Sequence, residues 1–367
     1  MLILSDCTWL HAPPFRSAIS SRPPPGVYCC NIPMATSIRI AIVGDVHDDW
    51  NLEEDTKALQ LLKPDLVLFT GRCTVPSLMC CLFEHLCDFG NENVDLVRSI
   101  SNLDFAKAII LGNHDAWNTQ KFSSREKDAV QLQLECLGHE HVGYRRMDFP
   151  NLKLSVVGGR PFSCGGEHVF RKKLLIARYG IHDMDGSAKR IYETAMRTPA
   201  DHSIIFLAHN GPTGLGSNMD DICGRDWFIE GGDHGDPDLA RAISQLKETT
   251  NLSIKLVVFG HMHKELAYGN GLRKMIVVGD DNTIYLNGAI VPRVKTISKE
   301  QVSYIGSSSS DKTSAMTSGF KGTIRAFTIA DIIDGHLERI SETWVLVIGD
   351  EVKIEDEVIL FSKAGRI

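Results

Sequence analysis

Four short clusters carry side chains able to do metal chemistry: Asp45-Val46-His47, Gly112-Asn113-His114-Asp115, Ala208-His209-Asn210 and Gly260-His261-Met262-His263. Carboxylate, amide and imidazole donors in this mixture suit a divalent cation of the manganese, iron or zinc kind. Each cluster directly follows an apolar, β-branched run: Ile38 to Val43, Ala108 to Leu111, Ser203 to Leu207 and Ile254 to Phe259. Such a run reads as a buried strand giving way to a loop. Donors at strand ends are fixed by a sheet yet reach solvent, and metal-assisted chemistry needs that precision. Residues two apart on a strand face the same way, so Asp45 and His47 converge if extended geometry persists past Val43. The same rule brings His261 and His263 together, with Gly260 permitting a tight turn.

The elements that must hold these clusters alternate. Strand 38–43 is followed by a helix near Glu53 to Leu62, strand Leu66 to Phe69, a helix over Val94 to Ser101 and strand Ala108 to Leu111. These are crossover units of an α/β fold with parallel pairing. Further on come a helix over 126–137, a strand over Leu152 to Val157 ending at Gly158-Gly159-Arg160-Pro161, and a helix over Ser187 to Met196. Asp236-Pro237 reads as a helix start, Asp as cap and Pro at the first position, leading into Leu239 to Lys247. The tail differs. Strands at Lys274 to Val278 and Thr283 to Leu286 precede a polar, flexible loop over 306–319. Thr323 to Ile332, the Asp334-Gly335 turn and His336 to Val347 then form a hairpin. A second, more antiparallel sheet assembled late in the chain is expected to stack on the first.

With 367 residues, 43% hydrophobic and 23% charged, the chain has ordinary globular composition and length for a large core. Its formal net charge of −7 argues against a broad basic surface for nucleic acid. No apolar run approaches the ~18 residues of a membrane span. Residues 1–36 hold Ser, Pro and Arg, lack Glu and Lys, and contain a single acid, Asp6. This composition reads either as an organelle transit peptide or as a disordered leader without an address. Met34 is an alternative start, and residues 37–367 form the expected domain. Cys7, Cys29 and Cys30 lie in the leader and Cys73, Cys80, Cys81 and Cys87 in one short stretch, leaving Cys136, Cys164 and Cys223 in the body. Scattered thiols fit a reducing compartment rather than a disulfide framework.

The order Asp-x-His, Gly-Asn-His-Asp, His, Gly-His-x-His resembles the calcineurin-like metallophosphoesterase superfamily, in the motif style of its plant and cyanobacterial branch. The resemblance covers most of residues 38–290. It implies a four-layer α/β/β/α sandwich of two mixed sheets flanked by helices. It also implies a phosphoester hydrolase with two divalent metal ions (Mn, Fe or Zn), in which metal-bound hydroxide attacks phosphorus. Carried over by motif, Asp45, His47 and His263 hold one metal and Asn113, His209 and His261 the other. The family's further Gly-Asp motif supplies a bridging carboxylate. Here strand Leu66 to Thr70 reaches Gly71, but Arg72 follows, and a suitable acid comes only at Asp88. Removing Arg72 to Cys87 restores Leu-Phe-Thr-Gly-Asp-Phe-Gly-Asn, so residues 72–87 read as an insertion interrupting the motif, with Asp88 as the bridging ligand. A catalytically impaired isoform, or a non-catalytic binding protein on the same fold, is the alternative that this interruption raises.

The resemblance also gives His114 a role in contacting the phosphoryl group or protonating the leaving oxygen. Asp115 either orients an imidazole or starts a helix. Arg160 is either a phosphate contact or part of a plain turn, and Asp233 and His234 are candidates for shaping the substrate mouth. The expected partner is a small phosphorylated substrate or a phosphoprotein. A chloroplast address follows if the leader is a transit peptide, and a cytoplasmic one otherwise.

Overall fold

The computed structural model describes residues 37–71, 92–119, 127–297 and 322–363. The segments read above as a leader (1–36), an insertion (72–87, followed by Asp88) and a polar loop (306–319) lie outside the described residues. Every strand foreseen from apolar periodicity is present. β1 (Ser37–Val43), β2 (Leu66–Phe69) and β3 (Lys107–Ile109) pair in parallel, with α1 (Leu52–Leu62) and α2 (Val94–Ser101) as the crossovers. α3 (Ala129–Leu137), β4 (Arg146–Phe149) and β5 (Leu154–Gly158) follow, then α4 (Lys172–Tyr179), α5 (Met184–Ala195), β6 (Ser203–Leu207), α6 (Pro237–Thr249) and β7 (Ile254–Phe259). The chain continues through β8 (Ile276–Val278), β9 (Ile284–Asn287), β10 (Val294–Ile297), β11 (Gly322–Ile333), β12 (His336–Ile348) and β13 (Glu351–Ser362).

Two mixed sheets result. One runs β13-β12-β11-β1-β2-β3, with β10 also on β11; the other runs β4-β5-β6-β7-β9-β8. The strands' period of two sorts their side chains between layers. Ile38, Ile40, Ile42, Leu66 and Leu68 of the first sheet pack with Leu154, Val156, Ile205, Leu207, Leu256 and Val258 of the second, forming the middle of the sandwich. The alternate residues face outward: Ala41, Val43, Val67 and Phe69 join Ala58 and Leu59 of α1 and Val97 and Ile100 of α2. On the second sheet Ile204, Phe206, Val257 and Phe259 join Ile191 of α5 and Leu239, Ala242 and Leu246 of α6. The expected four-layer sandwich is therefore the observed one.

The origin of the sheets differs from expectation. The late hairpin β11–β12 does not found a second sheet. β11 pairs antiparallel with β1, Ile38 opposite Ile332 and Ile42 opposite Thr328. The parallel units grow from only one edge of β1, leaving its other edge open, and the hairpin fills it. The second sheet comes from mid-chain and is mostly parallel. Periodicity reports which face of a strand is buried, not which neighbour it takes. A second correction concerns Asp236. It occupies the N-cap of α6 ahead of Pro237 but makes no side-chain cap bond, because its carboxylate is taken by Arg160 and Ser163.

Candidate metal centre

The donor clusters gather at one end of the sandwich. Extended geometry does not persist past Val43: Asp45 and His47 lie in the left-handed region, φ 39° and 46°, as does His261 at 66°. Each such residue costs about 1 to 2 kcal/mol, and strain of this kind survives where surroundings over-determine it. The convergence expected from strand period is thus achieved by two sharp turns. One donor atom each of Asp45, His47 and His263 lies within 4.8 Å of the other two. Asp45 Oδ2 stands 3.6 Å from His263 Nε2, and Asp45 Oδ1 accepts the backbone N–H of His261 at 3.1 Å. Gly260 makes this approach possible, since a Cβ there would stand 2.3 Å from Thr70 Oγ1 and 2.7 Å from Asp45 Oδ1.

The second donor set is built around His209. Its Nδ1 donates to the Thr70 carbonyl at 2.6 Å, and Nε2 faces Asn113 Oδ1 at 2.8 Å. With the proton on Nδ1, the Nε2 lone pair is turned towards the Asn113 amide, so that both side chains can face one cation. Neighbouring ligands on an ion with bonds of about 2.1 Å lie about 3 Å apart. The His209 and His261 rings meet edge to face at 5.0 Å. His261 Nδ1 and His263 Nε2 are buried and lack a hydrogen-bond partner among the described residues. Buried polar atoms are normally satisfied, so donor chemistry and orphaned nitrogens both fit a bound cation. The expected bridging ligand, Asp88, lies outside the described residues.

Electrostatics agree. Burial pushes His209 and His263 down to about 4, helped by repulsion from His114 and, for His263, from Arg273. Burial and the surrounding imidazoles hold His261 well below the ordinary histidine value. The Asp45–His263 contact is thus a carboxylate beside a neutral imidazole and not an ion pair, the protonation state a metal ligand requires. His114 is fully buried and stacked on Trp117, rings 4.6 Å apart and 5° from parallel. The Asp115 carboxylate accepts the Gly112 N–H at 2.8 Å, the helix-start contact of the short turn Asn113–Ala116.

Arg160, read as either a phosphate contact or part of a plain turn, meets two carboxylates. Its side chain is 1% exposed, with Nη2 2.7 Å from Asp236 and Nε 3.0 Å from Asp238. The sequence reading missed Thr70, whose carbonyl orients His209, and Arg273, whose Nε donates to the His263 carbonyl at 2.9 Å. Arg273 Nη1 also donates to the carbonyls of Asp221 and Gly224 at 2.8 and 2.7 Å, tying a metal-ligand candidate to the β6–α6 connection. Thr70 carried a signal, as the last residue of an apolar strand run; Arg273 carried none.

A double-sheet sandwich presenting imidazole, carboxylate and amide donors from its strand ends defines the metal-dependent phosphoesterase class. Residues 38–265 match the calcineurin-like phosphoesterase family model, and the chain belongs to that family. No curated protein sequence matches it. Similar solved structures include GAP50, the anchor in the inner membrane complex of Plasmodium, at 12% identity over 89% of this chain and 89% of that one, TM-score 0.39. PhoD is similar at 9% identity over 89% of this chain and 70% of that one, TM-score 0.43. A hypothetical protein from Thermus thermophilus is similar at 12% identity over 87% of this chain and 100% of that one, TM-score 0.35. Among the described residues no helix is long and apolar enough to cross a membrane.

Proposed function

We propose that this protein hydrolyses phosphoesters at a binuclear centre held by Asp45, His47 and His263 on one side and Asn113, His209 and His261 on the other, with Asp88 between. The observation that carries the reading is the 2.8 Å approach of His209 Nε2 to the Asn113 side-chain amide, beside the donor trio of Asp45, His47 and His263. When bound, divalent cations supply activated water and charge stabilisation at phosphorus. The chain's own residues do the remainder. Asp45 fixes His261 through its backbone N–H, and Thr70 fixes the tautomer of His209. His114, held flat against Trp117, protonates the leaving oxygen, a role worth typically ~10²–10⁴-fold in rate.

The test is turnover of phenyl phosphate by the full chain with manganese, against His114→Ala. A fall of about a hundredfold or more in kcat supports the assignment. Equal rates in both proteins remove His114 from the mechanism, and no manganese-dependent turnover by either protein removes the hydrolase reading itself.

A further inference from the structure

The β6–α6 connection, residues 208–236, does more than return the chain to α6. Its outer part folds back on itself: Arg225 N–H donates to the Gly232 carbonyl at 2.8 Å and His234 N–H to the Cys223 carbonyl at 2.9 Å. A turn closed by Gly231 N–H on the Phe228 carbonyl at 2.9 Å forms the tip. This small hairpin is fixed at its base. Asp226 pairs with Arg273 at 3.1 Å, and the same guanidinium holds the His263 carbonyl, so the hairpin and a metal-ligand candidate share one anchor.

A row of rings runs from the metal centre out along this hairpin. His234 lies nearly parallel to His261, centroids 6.2 Å apart and 24° between planes; Trp227 meets His234 edge-on at 5.0 Å; Phe228 follows at 6.4 Å. His234 is fixed through Nε2, which donates to the Cys164 carbonyl at 2.7 Å. The row surfaces at half-buried Trp227 and exposed Phe228.

Beside the row stands Arg225, its guanidinium 5.3 Å from the Phe228 centroid. Nε of Arg225 is buried and lacks a hydrogen-bond partner, and the side chain has no carboxylate within ion-pair distance among the described residues. Nearby acids are committed elsewhere: Asp220 and Asp221 to Lys274, Asp226 to Arg273, and Asp233 to Thr213, Gly214 and Gly235. Glu230 projects from the exposed tip. Gly232, at φ 118°, makes room for the guanidinium, because a Cβ there would stand 2.0 Å from Arg225 Nη2. The loop therefore keeps a cation next to an aromatic surface and gives it no anion of its own.

We propose that Trp227 and Arg225 form a recognition subsite for a phosphoester bearing a planar ring, the ring packing on Trp227 and an anionic oxygen meeting Arg225. This deepens the hydrolase reading and rests on it for the placement of the scissile phosphate. The ring can be a nucleobase or a simple aryl group, and both stack through the same π-face.

The test is calorimetric titration of the full chain, without added metal, with adenosine monophosphate, phenyl phosphate and ribose 5-phosphate. Ring-bearing ligands are expected to bind about tenfold more tightly than the ring-free one. The stronger of the two ring ligands identifies the ring source. Trp227→Ala is expected to abolish that preference and Trp227→Phe to keep most of it, which separates loss of the ring from loss of the fold. Arg225→Ala should weaken all three ligands about equally, with partial recovery in Arg225→Lys. Equal binding, or none, of ring-bearing and ring-free ligands to the wild-type chain overturns the proposal, as does an undiminished preference in Trp227→Ala. Turnover of the same ligands with manganese reports separately on the hydrolase reading: hydrolysis without ring preference sinks only the subsite, and ring preference without hydrolysis sinks only the enzyme.

Discussion

Replacing Gly112 by alanine gives the sharpest probe of how the sequence holds His209. Gly112 has φ −94° and ψ −176°, an extended conformation open to any L-residue, so alanine brings no backbone penalty. Its methyl group would stand 2.4 Å from His209 Cε1, 2.6 Å from Nδ1 and 2.7 Å from Nε2. Ordinary carbon contact begins near 3.5 Å, so the ring must retreat by about 1 Å. That retreat breaks the 2.6 Å bond to the Thr70 carbonyl. Losing a buried hydrogen bond costs about 1 to 3 kcal/mol, and overpacking a filled site adds about 1 to 3 kcal/mol. The expected loss in urea denaturation is therefore about 2 to 6 kcal/mol, with manganese affinity down about 10- to 100-fold, the usual effect of disturbing what orients a ligand. The control is the same change in a His209→Ala background. With the ring gone, alanine at 112 should cost less than about 1 kcal/mol, because sites couple only through the contact they share. An undiminished cost in that background, or a single variant as stable as wild type, refutes the reasoning.

Three further outcomes are expected. Arg160→Ala leaves Asp236 and Asp238 buried without their cation, so it should lower stability by about 3 to 5 kcal/mol while leaving KM of the folded enzyme within about twofold; a large rise in KM at unchanged melting temperature would restore Arg160 as a phosphate contact. Burial holds His141 down to about 3 and His209 and His263 at about 4 in the folded chain, against about 6.5 unfolded. The unfolded state then binds more protons, and metal-free stability should fall as pH drops from about 6.5 towards 4; His141→Asn should remove up to about 1.4 kcal/mol per pH unit of that slope, and a flat profile in urea between pH 7 and 5 contradicts it. Deleting Arg72 to Cys87 should tighten manganese binding and raise phenyl phosphate turnover; unchanged values would show that the interruption of the Gly-Asp motif is tolerated.

Much of this molecule was legible because strands and helices write their burial into their periodicity. Ile38, Ile40 and Ile42 alternate with Ala41 and Val43 because one set meets the other sheet and the other set meets helices. The donor clusters were legible because strand ends are where such sheets expose side chains. Pairing and pairwise geometry were harder to read. Nothing local tells β11 to join β1 rather than begin a new sheet, and β13 was passed over although Val352, Ile354 and the Val358-to-Phe361 run have strand character. The left-handed turns at Asp45 and His47 arise from tertiary constraint. Arg160 was legible only as a phosphate contact or a turn residue because its partners, Asp236 and Asp238, lie far along the chain. The ring row from His261 to Phe228 needs a folded loop to exist, and only His234 within it stood out beforehand.

The central claim, that these donors hold cations for chemistry at phosphorus, is tested most directly by counting metal. Full-length chain loaded with manganese, freed of excess ion and analysed for bound metal per chain should retain two equivalents, falling to one or none in His263→Ala. A wild-type chain that keeps no manganese above the buffer background, or a His263→Ala variant that keeps as much as wild type, would contradict the account.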